Sequence, residues 1–137
     1  MTKKVLCAVD DSEHSKIAVA VAGELAKATG AELTILAVNA LTGIPRGGMA
    51  YAWEDSDLKR ILDSASAIAK KAGVSDPKTA SVNSRDAARS IVVYAEDNDI
   101  DHIVVGTGGK GVVARLVLGS VSQDVIARAH CLVTVAR

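Results

Sequence analysis

The residues with the most chemistry in their spacing lie between Val104 and Ser120, VVGTGGKGVVARLVLGS. A short apolar run, Ile103–Val105, reads as a buried strand that breaks at Gly106. Gly108, Gly109 and Gly111 follow, and Leu116–Leu118 leads to Gly119-Ser120 and a new helical pattern. Five of the eleven glycines fall between Gly106 and Gly119, which sets this stretch apart from the rest of the chain. Glycine lets backbone N–H groups approach a ligand closely. Ser120 suits an N-cap, and a helix start attracts phosphate through unpaired N–H groups and the helix dipole. Strand, glycine loop and capped helix start together read as a phosphate cradle, against the plainer reading of a turn.

The spacing narrows the kind of cradle. A P-loop needs GxxxxGK[ST]. Gly106 and Gly111 have that glycine spacing, but Val112 and Val113 stand where Lys and Ser/Thr belong. A dinucleotide fold wants GxGxxG after the first strand, and this loop lies far from the N-terminus. The serine-hydrolase elbow GxSxG is absent. The pattern that fits is G-x2-G-x9-G-[ST], at Gly106, Gly109, Gly119 and Ser120. That pattern, with the phrases CAVDDSEHS, AEDNDIDHIVVGTGGKG and RLVLGSVSQDVIARAHC, resembles the universal stress protein family, from about Lys3 to Arg137.

Composition bounds the rest. A chain of 137 residues is long enough for a single core, and it is read as one domain over residues 1–137. Apolar residues make up 49%, with no Phe, one Trp and two Tyr, so aliphatic side chains must fill that core. Sixteen basic and sixteen acidic residues balance, with no basic stripe for nucleic acid. No apolar run approaches the roughly 18–20 residues of a membrane span. Met1-Thr2-Lys3-Lys4 leads into five apolar residues, a first strand rather than a signal peptide, so a cytoplasmic location is expected. Cys7 and Cys131 each sit in a strand-like run and read as buried thiols, and the three histidines show no metal spacing.

The elements that must position the glycine loop alternate. Val5–Val9 is a continuous apolar run, as in a strand covered on both faces. Asp10-Asp11-Ser12 ends it, and Ser12 can cap a helix carrying Ile17, Val21, Leu25 and Ala28, stopped by Gly30. Leu33–Val38 is a second strand. Asn39–Trp53 has no sustained period and reads as a long loop, a lid or binding loop. Tyr51 and Trp53 at its end either cover a ligand or partner, or close the next helix. Leu58, Ile61, Leu62, Ala65, Ile68, Ala69 and Ala72 form that helix's apolar stripe, with Gly73 at its end. Pro77–Asn83 reads as an edge strand, and Ser84 as the cap of a helix with Ala88, Ile91, Val92 and Ala95. After the glycine loop come a helix with Val121, Val125 and Ala129 and a last strand, Leu132–Val135.

Alternation of this kind calls for a parallel sheet with helices on both faces, and ligands of such sheets bind at the carboxyl ends of strands where strand order reverses. Asp10 and Gly106 stand at two such ends. The resemblance implies an α/β, Rossmann-like three-layer sandwich of the adenine nucleotide alpha hydrolase-like type. It has a five-stranded parallel sheet of order 3-2-1-4-5 and four helices.

Carried over position by position, the resemblance implies an ATP-binding regulatory or stress-response protein. Asp10 falls where the family has an acid near the ribose and phosphates, acting on a divalent metal such as Mg²⁺ only indirectly. Ala8 and Val9 line the same strand end. Val38 ends the second strand, where family backbone meets adenine. Val105 and Gly106 begin the loop. Gly109, Gly119, Ser120 and Val121 fall where N–H groups and a hydroxyl hold phosphates. Lys110 and Arg115 either add charge there or are solvated. Gly108 departs from a frequent arginine and Leu132 from a frequent proline.

Two alternatives stand beside this reading. One is a slow ATPase or an enzyme phosphorylating itself at Ser120 or Ser122. The other is a structural or signalling dimer without nucleotide. His14, four residues beyond Asp10, is near the expected site but reads as solvated. A phosphoacceptor receiver domain is rejected, because Val82-Asn83-Ser84 offers no nucleophilic Asp and Ala136-Arg137 no Lys. Family usage also implies a homodimer through the last strand, Leu132, Val133, Thr134 and Val135 onward to Arg137.

Overall fold

A computed structural model of the chain describes residues 2–107 and 119–137. The order is β1 (Lys4–Val9), α1 (Glu13–Thr29), β2 (Glu32–Gly43), β3 (Met49–Tyr51), α2 (Asp55–Lys71), β4 (Lys78–Ser84), α3 (Ala87–Asp97), β5 (His102–Gly106), α4 (Ser120–Arg128) and β6 (Leu132–Ala136). Five strands form a parallel sheet of order β4-β2-β1-β5-β6. Counting parallel strands alone, this is the expected order 3-2-1-4-5 with four helices. The edge position expected for Pro77–Asn83 is that of β4, which pairs only with β2. Between β1 and β5 the order of connection reverses, with β2 and β4 built outward on one side and β6 on the other.

The apolar runs explain the layers. Val5, Cys7 and Val9 of β1, with Leu33, Ile35 and Ala37 of β2, face α1 and α2 and pack on Ala18, Val19, Ala22, Ile61 and Ala65. Leu6, Leu36, Val38, Ile103 and Val105 face α3 and α4 and pack on Ala88, Ile91, Ala95 and Val125. Successive strand residues point to opposite faces, so a continuous apolar run is what a doubly covered strand requires. Cys7 is buried, and burial pushes its thiol pKa up to about 12. Cys131 is only half-buried, just ahead of β6, so the expectation of two buried thiols holds for the first alone. No helix among the described residues is long and apolar enough to cross a membrane.

The stretch Asn39–Trp53, expected as a loop, is largely a hairpin. β2 continues to Gly43, and β3 returns antiparallel to it with Leu41 opposite Tyr51 and Gly43 opposite Met49. Gly47 and Gly48, at φ 89° and 85°, make the turn, a conformation side chains disfavour. The ribbon projects from the sheet with Met49 and Tyr51 exposed. A ribbon without a buried face has no reason to alternate apolar and polar residues, so it left no period to read.

Two caps also differ from expectation. Ser12 caps α1 as anticipated, its Oγ accepting from Ser15 N at 3.2 Å. For α3 the cap is Asp86, whose Oδ1 accepts from Arg89 N at 3.1 Å, rather than Ser84. Ser84 is the buried last residue of β4, and its hydroxyl accepts from Ser90 Oγ at 2.6 Å. For α4 the cap is Gly119 and Ser120 is the first helical residue. Gly119 N donates to Thr107 O at 2.7 Å, and Gly119 is in extended backbone, so the helix starts one residue earlier than expected.

Candidate functional site

The carboxyl ends of β1, β2 and β5 open into one cleft of about 320 Å³. Its walls are chemically unequal. Val38 and Ala40 of β2, Ala52 and Trp53 of the hairpin's return, and Ala87 and Ile91 of α3 are apolar. Asp10, Ser12, His14 and Ser15 come from the β1–α1 junction, and Gly119, Ser120 and Ser122 from the start of α4. Ala8, Val9, Val105, Gly106 and Val121 complete the lining. Of the residues anticipated from sequence, Ala8, Val9, Asp10, Val38, Val105, Gly106, Gly119, Ser120 and Val121 are brought together here. Gly109 and Lys110 lie outside the described residues, as do Gly108 and Arg115.

The two adjacent acids part company. Asp10 lines the cleft, and its Oδ1 accepts from Ser12 N at 2.9 Å and Ser15 Oγ at 2.7 Å. Those bonds fix one carboxylate oxygen, while Oδ2 has no partner among the described residues. Asp11 turns to α2, where Arg60 bridges both its oxygens at 3.1 Å. The guanidinium holds the Asp11 carboxyl below the usual carboxylate range, chiefly through that hydrogen bond. This pair is exposed and contributes little to stability. Asp10 is thus the acid available to a ligand in the cleft.

The junction of β5, α1 and α4 is tight. Ser122 is 2% exposed and its Oγ donates to Gly106 O at 2.6 Å. Thr107 Oγ1 meets His14 Nδ1 at 3.0 Å. Together with the bond from Gly119 N to Thr107 O, these contacts close both ends of the glycine stretch onto the cleft. His14 is half-buried, not solvated as its place in a first helical turn suggested. Its partner lies 93 residues away, so no local pattern could have shown it.

Trp53 also resolves. Asn39, 3% exposed, donates from Nδ2 to Trp53 O at 2.8 Å and accepts at Oδ1 from Trp53 N at 2.9 Å. This clamp places Trp53 against the core under α1 and α2, as expected of a residue closing the next helix, and also along the cleft. Ala40, Ala52, Ala87 and Ile91 were not anticipated, because small or apolar lining residues look like any core residue in sequence.

The model of the universal stress protein family matches residues 1–137 of this chain. The chain belongs to that family. A universal stress protein of Thermus aquaticus is 38% identical over 141 residues, covering 100% of each chain. Universal stress protein YxiE of Bacillus subtilis is 32% identical over 150 residues, again covering 100% of each. Among solved structures, a universal stress protein in complex with cAMP superposes with a TM-score of 0.78 at 27% identity, covering 99% of this chain and 97% of that one. The universal stress protein of Archaeoglobus fulgidus in complex with dAMP gives 0.71 at 26% identity, covering 98% of each chain. The β-sheet order and the cleft at the strand ends are therefore features of a family member.

Proposed function

We propose that the cleft binds an adenine nucleotide, ATP by preference, and that the protein is a nucleotide-dependent regulatory module. The observation that carries this is the polarity of the cleft. Apolar walls at Val38, Ala40, Trp53 and Ile91 suit a flat base, and hydroxyls with the start of α4 suit a phosphate. The cAMP and dAMP complexes of two relatives support the adenine class. Asp10 Oδ2 is placed to accept from ribose hydroxyls. Among the described residues no three His, Cys, Asp or Glu side chains gather for a metal. Mg²⁺ at Asp10 would therefore take its other ligands from phosphate and water.

The test is mass spectrometry of small molecules released from freshly purified protein, with Gly119→Val as control. Wild type is expected to release ATP and the variant none, since a valine at the cap of α4 crowds the phosphate end. Mostly ADP would point to turnover. No nucleotide from either, and none bound on titration, would sink the reading.

We further propose a homodimer through β6. That strand pairs only with β5, so its outer backbone edge is unpaired among the described residues, and its first residue, Leu132, is 63% exposed. An open edge of this kind invites another strand. Val133→Lys is expected to lower the mass by light scattering to the 14.1 kDa of one chain. An unchanged dimer mass would place the interface elsewhere.

A further inference from the structure

Among the described residues lining the cleft, one side chain can carry a positive charge, and it is His14. Three cations near the strand ends are committed elsewhere: Arg60 to Asp11, Lys16 to Glu13 and Arg128 to Asp86. The structure holds His14 from two sides. Its backbone packs on Gly106 so closely that a Cβ there would lie 2.7 Å from His14 O. Its ring is tied at Nδ1 to Thr107 Oγ1 at 3.0 Å. Thr107 is itself 3% exposed, and its carbonyl accepts from Gly119 N at the start of α4. One residue thereby sets both the imidazole and the helix start. Nε2 of His14 has no partner among the described residues.

We propose that His14 contacts the phosphoryl group of the nucleotide, donating from Nε2, and that Thr107 positions it for this. The inference rests on the nucleotide reading above. It adds to that reading the residue that makes the site favour a phosphorylated ligand over the bare nucleoside. With the Thr107 hydroxyl donating to Nδ1, the neutral ring carries its proton on Nε2, a donor toward the cleft. The imidazolium would donate from the same atom with a full charge. Either form favours an anion there, and fixing the ring beforehand lowers the ordering cost of binding.

The experiment is calorimetric titration of the purified full chain with ATP and, separately, adenosine. Wild type, His14→Ala, His14→Gln and Thr107→Val are compared. A donor to a charged phosphate predicts ATP affinity about ten- to a hundredfold weaker in His14→Ala, with adenosine affinity unchanged. His14→Gln, which keeps an N–H near the Nε2 position, should recover part of the loss. Thr107→Val should weaken ATP several-fold, again sparing adenosine. The ratio of the two affinities within each variant is the readout, so a general loss of stability does not imitate the effect. Equal weakening of ATP and adenosine, or no change in either, overturns the role of His14 while leaving the nucleotide reading standing. A wild type that binds neither ligand overturns both.

Discussion

Gly106→Ala is expected to lower stability by about 2 kcal/mol and to abolish nucleotide retention. The cause is close approach, not backbone conformation. A Cβ at Gly106 would stand 2.7 Å from His14 O and 2.9 Å from His14 C. Both are backbone atoms of a helix start that cannot rotate away, so α1 must lift from β5. The lift stretches the Thr107–His14 bond and moves Asp10 and Ser12, all at the cleft. Gly23→Ala is the control. There a Cβ would meet Ala72 Cβ at 2.7 Å, at the packing of α1 on α2. That variant should also be less stable, but it should keep its nucleotide. Urea unfolding and released nucleotide, measured on both variants, separate the two effects. A Gly106→Ala protein that binds like wild type would show that the β5–α1 contact does not shape the site.

The second large effect is expected at Asn39. Its carboxamide bonds both backbone groups of Trp53, in the manner of one extra rung of sheet. Asn39→Ala leaves two half-buried backbone groups without these partners, at a cost of about 1–3 kcal/mol. Asn39→Asp keeps the size but sets a carboxylate oxygen against the Trp53 carbonyl, and it should cost a similar amount. The chain has one Trp, so its emission reports this contact alone. Release of the hairpin should move the emission to longer wavelength, and ATP should no longer alter it. Unchanged emission, with stability within about 0.5 kcal/mol of wild type, would mean the clamp holds nothing.

Much of the fold was legible because burial is written locally. Val5–Val9 and Leu33–Val38 are uninterrupted apolar runs, and only a strand covered on both faces needs such a run. The stripe from Leu58 to Ala69 repeats at helical spacing because one face of α2 meets the sheet. Asp10 and Gly106 could be assigned to strand ends for the same reason, since each follows a run of buried residues. The hairpin was not legible, because its residues face solvent and carry no period.

Tertiary structure decided what those strand ends do. Register and strand order bring Val38, Asp10, Gly106 and Gly119 to one cleft. They also choose Gly119 over Ser120 as the cap of α4, through a bond to a residue on another element. The pairing of His14 with Thr107, and of Asn39 with Trp53, follows only when the helices have docked and the hairpin has returned. A residue's burial depends on its own character and its near neighbours' spacing, so a sequence carries it openly. A hydrogen-bond partner tens of residues away depends on the docking of whole elements, which no short stretch encodes.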